Sequence, residues 1–200
     1  MTSSQQPLDQ AGEKPRLLVL ASTYPRWTGD SEPGFVHELA KRLTDHFEIR
    51  ALCPHAKGAS THETLDNVQI QRYRYASENW ESLVNDGGIV TNLKRNPLKW
   101  LLVPSFLLAQ TWTTGRLIRR WRPDVIHAHW LIPQGLILAL LSLVHRKMSP
   151  FLVTSDGANL HALSALVRGM SPIRENIPKI CPYSISQRMA LCLCSEALCS

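Results

Sequence analysis

Two short apolar runs, each stopping abruptly at polar and small residues, constrain this chain more than anything else in it. One is Pro123-Asp-Val-Ile-His-Ala-His-Trp130, and the other is Pro150-Phe-Leu-Val-Thr-Ser-Asp-Gly-Ala-Asn-Leu-His161. A continuous apolar run of strand length belongs in the middle of a sheet covered on both faces. In an open α/β sheet, ligands bind outside the carboxyl ends of such strands. His127, His129 and Trp130 at one end, with Ser155, Asp156 and Gly157 at the other, therefore mark a functional edge.

The rest of the chain fits the same architecture. Residues 16–22 form another apolar run, followed by a loop over 23–34 rich in turn formers. Phe35, Val36, Leu39, Ala40 and Leu43 then repeat on one face of a helix, with Pro33 and Gly34 at its start. Strands are predicted over 47–53 and, nearer an edge, over 68–75, with a loop between them at 55–67. Residues 78–97 show no clear period. A helix is predicted over 98–121 despite Pro104, a strand over 124–128, a helix over 131–146 and a strand over 151–154. A short helix over 160–167 and a strand over 188–194 close the series. Alternating strands and helices in this rhythm predict an α/β fold, a doubly wound, Rossmann-like parallel sheet.

Composition narrows the function. Two hundred residues fit one ordinary domain, read here as 15–200 after a disordered lead-in over 1–14, with an atypical tail over 165–200. The net charge of +6 suits a phosphate-bearing ligand or an anionic membrane surface. The basic residues are scattered, and no nucleic-acid signature appears, so no nucleic-acid partner is expected. The longest uncharged apolar stretch, 130–144, is too short to span a bilayer. No secretory signal is present, so the chain is expected in the cytoplasm, with peripheral contact at the inner face of the membrane. Cys181, Cys192, Cys194 and Cys199 crowd the end without the paired spacing of a zinc site, and read as reduced thiols.

The candidate chemistry lies along the sheet edge. Gly29 and Gly34 precede a helix, whose backbone amides favour anions, but neither a G-x-G-x-x-G nor a P-loop motif occurs. His127 and His129 lie two apart on a strand and so share a face, pointing to a ligand. A metal reading needs a third donor, Asp156 or His161, and is the lesser one. Asp156 suits hydrogen bonding to a substrate hydroxyl, base chemistry or helix capping, while Gly157 permits close backbone approach. No G-x-S-x-G elbow supports a hydrolase.

Taken together, residues 16–22, Tyr24-Pro-Arg-Trp27, Glu32-Pro-Gly-Phe-Val-His-Glu-Leu39, Pro123–Trp130 and Val153–His161 resemble a family 4 glycosyltransferase, over roughly residues 15–163. More narrowly, they resemble the N-terminal domain of its two-domain GT-B architecture. Residues 189–198 resemble that family's "ADAVTVVSEAL" strand. The resemblance implies a retaining sugar transfer from a nucleotide-sugar donor, with no bound metal and no other cofactor. It implies that this half chiefly holds the acceptor, a polysaccharide or lipid-linked sugar, and that a C-terminal half carries the donor site and a Glu-x7-Glu motif.

By the same resemblance, Asp156 stands at the position of the family's catalytic His, and Asn159 at that of an Asp. Gly34, His127, His129, Trp130, Ser155, Gly157 and Asn159 fall at substrate-binding positions. A carboxylate at 156 accepts hydrogen bonds where an imidazole also donates. The chain stops where the second domain would begin. It therefore reads as a truncated form, inactive alone, or as half of an enzyme completed by a separate C-terminal chain. The alternative is a non-catalytic binding or scaffold relic of such an enzyme.

Overall fold

A computed structural model describes residues 13–30, 34–85, 87–145 and 148–155, together with the strand residues 185–186 and 189–193. Its strands are β1 (Arg16–Leu20), β2 (Glu48–Pro54), β3 (His62–Leu65), β4 (Val68–Tyr73), β5 (Val125–His129), β6 (Phe151–Ser155), β7 (Ile185–Ser186) and β8 (Met189–Leu193). They form one sheet in the order β3-β4-β2-β1-β5-β6-β8-β7. The six strands from β4 to β8 pair in parallel, and β3 and β7 add antiparallel edges. The helices are α1 (Phe35–Leu43), α2 (Gly88–Arg95), α3 (Leu102–Arg120) and α4 (Leu136–Val144). This is the doubly wound α/β fold that the apolar runs predict.

Alternation along each strand divides the core into two layers. Leu18, Leu20, Leu52, Ile126, Ala128 and Val153 pack with Phe106 of α3 and Leu138 of α4. Leu17, Val19, Ile49, Ala51 and Ile70 pack on the other face with Val36 and Ala40 of α1. Each fully buried aliphatic side chain contributes about 1.5–3 kcal/mol relative to exposure, so the central strands are the stable part of the molecule. His127 and His129 alternate with Ile126 and Ala128 and therefore lie on the α1 side.

Several local expectations need correction. The predicted loop over 55–67 contains β3, joined to β4 by a two-residue turn in which Asp66 (φ 47°) and Asn67 (φ 65°) both adopt left-handed backbone. Residues 78–97 contain α2, whose start is set by Gly87 at φ 111°. The helix predicted over 98–121 begins as a tight turn over Pro97–Leu101, where the Asn96 side chain accepts from Leu98 N. Pro104 falls in the first turn of α3, where a missing N–H costs no hydrogen bond. The helix predicted from 131 starts only at Leu136, because Ile132 is extended (φ −122°, ψ 125°) ahead of Pro133. The predicted helix over 160–167 lies outside the described residues.

Candidate functional site

Strand order reverses at β1, whose neighbours are β2 and β5. The crevice outside the carboxyl ends of β1 and β5 is the topological switch point, where open α/β sheets bind ligands. The loop after β1 and the residues ending β5 and β6 meet there.

The loop is held by its own side chains. Arg26 donates from its backbone N (2.8 Å), Nε (2.8 Å) and Nη2 (2.7 Å) to the Asp30 carboxylate. The buried Arg72 of β4 donates from Nη2 to the Pro25 carbonyl at 2.7 Å. Tyr24 Oη lies 2.9 Å from His37 Nδ1 on α1. Gly34, at the start of α1, has φ −81° and ψ 0°, which any residue adopts, and an added Cβ would meet no atom within 4 Å. The fold therefore does not require glycine at this position.

At the end of β5, the His127 and His129 rings lie 4.2 Å apart, centroid to centroid. His127 is 8 % exposed and His129 5 %. Thr154 of the adjacent β6 stands opposite His129 in the parallel register. Its Oγ1 lies 3.2 Å from His127 Nε2 and 3.3 Å from His129 Nδ1. A hydroxyl has one proton, so it donates to one imidazole and accepts from the other. Either choice leaves His129 Nε2 buried without a hydrogen-bond partner among the described residues. Burial lowers the pKa of both imidazoles, that of His129 to about 3 with His127 beside it adding to the effect. Both rings are therefore neutral near pH 7. The pair offers uncharged hydrogen bonding, not a positive charge.

Two further residues complete the rim. Trp130 continues the chain at φ 74°, an uncommon conformation for a bulky side chain, and its N–H donates to the Thr154 carbonyl at 2.7 Å. Phe35, in the first turn of α1, makes edge contacts with His129 (6.0 Å) and Trp130 (5.9 Å). Phe35 thus brings the Gly34 end of the loop against the histidines. Aromatic faces beside hydrogen-bonding groups suit a ligand with both C–H and O–H surface.

Beneath them, the fully buried Gln134 ties two strand ends together. With its amide oriented to satisfy both atoms, Oε1 accepts from Ser22 N (2.9 Å) and Ser22 Oγ (2.5 Å), while Nε2 donates to the His129 carbonyl (3.2 Å). Gly135 follows, and a Cβ there would approach Val153 Cγ1 to 3.1 Å, so the turn sits directly on β6.

The structure brings His127, His129, Trp130 and Gly34 to one edge, and the backbone of Ser155 ends β6 beside them. Asp156, Gly157 and Asn159 lie outside the described residues. Sequence reasoning missed Phe35, Thr154 and Gln134 as site residues. Phe35 and Gln134 both read as ordinary residues of predicted helices, whereas Thr154 stands one residue from Ser155 at the same strand end. Among the described residues, no group of three or more His, Cys, Asp or Glu side chains is placed to hold a metal ion. No described helix is long and apolar enough to cross a membrane.

A family model described as Glycosyltransferase Family 4 matches residues 35–174. The matched stretch includes Phe35, His127, His129, Trp130, Gln134 and Thr154. No curated protein matches the chain.

Proposed function

The chain belongs to glycosyltransferase family 4, and from that premise we propose that it forms the acceptor side of a sugar-transfer cleft. The acceptor is a polysaccharide or a lipid-linked saccharide, and the donor is a nucleotide sugar. The observation that carries this reading is the neutral His127–Thr154–His129 cluster, with His129 Nε2 unpartnered among the described residues, beneath the Phe35 and Trp130 rings. An unsatisfied buried polar atom costs about 1–3 kcal/mol. A sugar hydroxyl at that nitrogen removes the cost, and the aromatic rim receives the apolar face of a sugar ring.

Asp156 follows Ser155 directly in sequence and is proposed as the acidic group of the site. Ser155, Gly157 and Asn159 are proposed to supply further hydrogen bonds. Gly34 supports the reading because its small size leaves open space that the fold itself does not need.

Saturation-transfer NMR of the full chain with maltose or mannobiose tests the proposal. Transfer to sugar ring protons that disappears in His129→Ala and Trp130→Ala is the expected result. Micromolar binding of UDP-glucose to the same chain overturns the acceptor-side assignment, because it places a donor site here.

A further inference from the structure

The outer side of α3 does not behave like an ordinary solvated helix face. Leu101, Leu108 and Trp112 are spaced by seven and four residues, one stripe along the helix, and are 79 %, 71 % and 68 % exposed. Trp100 and Leu98 extend the stripe at its amino end and are also exposed. At its carboxyl end the stripe runs into Arg116, Arg119 and Arg120.

There, α3 and the sheet enclose a groove of about 500 Å³ whose walls include Arg50, Arg116, Arg120, His62, Trp112 and Trp121. No carboxylate lines it. Arg50 stacks on the Trp121 ring at 4.6 Å and donates from Nη2 to Gln69 Oε1 at 2.7 Å, so its guanidinium is fixed at the groove. Among the described residues, none of the three arginines has a carboxylate within ion-pair distance. Three cations converge on a concave site whose own lining holds no carboxylate. Trp112 belongs to both the groove and the apolar stripe.

We infer that this face docks onto an anionic phospholipid surface, with Leu101, Leu108 and Trp112 entering the interface and a headgroup phosphate seated among Arg50, Arg116 and Arg120. Juxtaposed exposed apolar side chains, an amphipathic indole and unpaired arginines complement the acyl boundary, the interface and the phosphate in that order. A soluble anion accounts for the arginines alone, and a second copy of the chain for the apolar stripe alone. The net charge of +6 works in the same direction. The groove lies against the first half of β2 and the last turns of α3, away from the carboxyl edge that holds the histidines. Docking here leaves the crevice open, and the inference stands independently of the acceptor assignment.

Flotation of the full chain with phosphatidylcholine vesicles, with and without phosphatidylglycerol, tests it. Binding is expected only with the anionic lipid and weakens as NaCl is raised. Arg116→Gln and Arg120→Gln each lower affinity about fivefold, whereas Arg42→Gln on α1 does not. Brominated acyl chains quench tryptophan emission, and Trp112→Phe combined with Trp100→Phe removes most of that quenching. All of these substitutions are at exposed positions, and circular dichroism confirms the fold of each variant.

Absence of binding to anionic vesicles by the folded chain overturns the inference. So does an Arg42→Gln loss equal to that of the groove variants. Saturation of the groove by inorganic phosphate without vesicle affinity assigns it to a soluble anion instead. Self-association abolished by Trp112→Ser assigns the face to a second copy. Unchanged flotation of His129→Ala separates this surface from the sugar site.

Discussion

Acid should destabilise this protein through its buried imidazoles. The unfolded chain takes up the His129 proton near pH 6.5, whereas the folded chain takes it up only near 3, because burial and the neighbouring His127 disfavour the charged ring. A pKa depressed by folding means that the unfolded state binds more protons, so stability is lost as pH falls from about 6.5 toward 3. Between pH 7 and pH 5, this one group removes about 2 kcal/mol, since each unit of pKa difference is worth 1.36 kcal/mol. For a domain of this size that corresponds to a fall in Tm of about 4–8 °C. His127, lowered in the same direction by burial, adds to the loss. The assay is urea unfolding, followed by circular dichroism, of the wild type and His129→Asn at both pH values. Other histidines contribute equally to both proteins and cancel in the difference. The wild type should lose about 2 kcal/mol more than the variant on acidification. Identical losses in the two proteins refute the claim that His129 is folded into the core as a neutral ring.

Other perturbations probe the supports of the site. Gly135→Ala, at the residue that precedes α4, drives a methyl to 3.1 Å from the buried Val153. Overpacking costs about 1–3 kcal/mol, so denaturant unfolding should show net destabilisation, and a more stable variant shows that β6 yields. Gln134→Leu leaves the Ser22 N–H and His129 carbonyl without their partner, and should cost about 1–3 kcal/mol in the same assay. Phe106→Ala empties the contact between α3 and the Tyr73 and Tyr75 rings, with an expected loss of about 3–5 kcal/mol. Asp156→Asn should weaken saccharide binding about tenfold at unchanged stability, read from NMR titration.

The central strands are legible in the sequence because parallel strands buried on both faces carry no polar alternation. Residues 17–20 and 151–153 announce themselves in this way, 48–54 and 125–129 through shorter apolar cores beside polar residues, and α1 through its apolar period. The misreadings fall where a backbone feature outweighs side-chain pattern. Asp66–Asn67 makes a tight left-handed turn without the glycine that usually signals one, so β3 hides inside an apparent loop. Pro104 looks like a helix breaker but lands in the first turn of α3, the tolerated place. Pro133 has the opposite effect: inside an uncharged, largely apolar stretch, it forces Ile132 to be extended and delays α4 to Leu136.

The candidate site divides along the same line. That His127 and His129 share a face follows from the period of a strand, and their position at its carboxyl end follows from where the apolar run stops. Their chemistry does not follow from either. A histidine two residues from another is equally compatible with a metal ligand pair, a charged pair or a neutral pair. The choice is made by Thr154, which arrives from β6 through the parallel register, and by burial, which comes from packing across the sheet. With one hydroxyl proton shared between two rings and no carboxylate among the described residues raising either pKa, the neutral state follows, and with it a single nitrogen unmatched among those residues. Strand ends therefore locate a ligand site in a sequence. What such a site offers a ligand depends on contacts between segments far apart in the chain, such as Phe35 with His129 and Ser22 with Gln134.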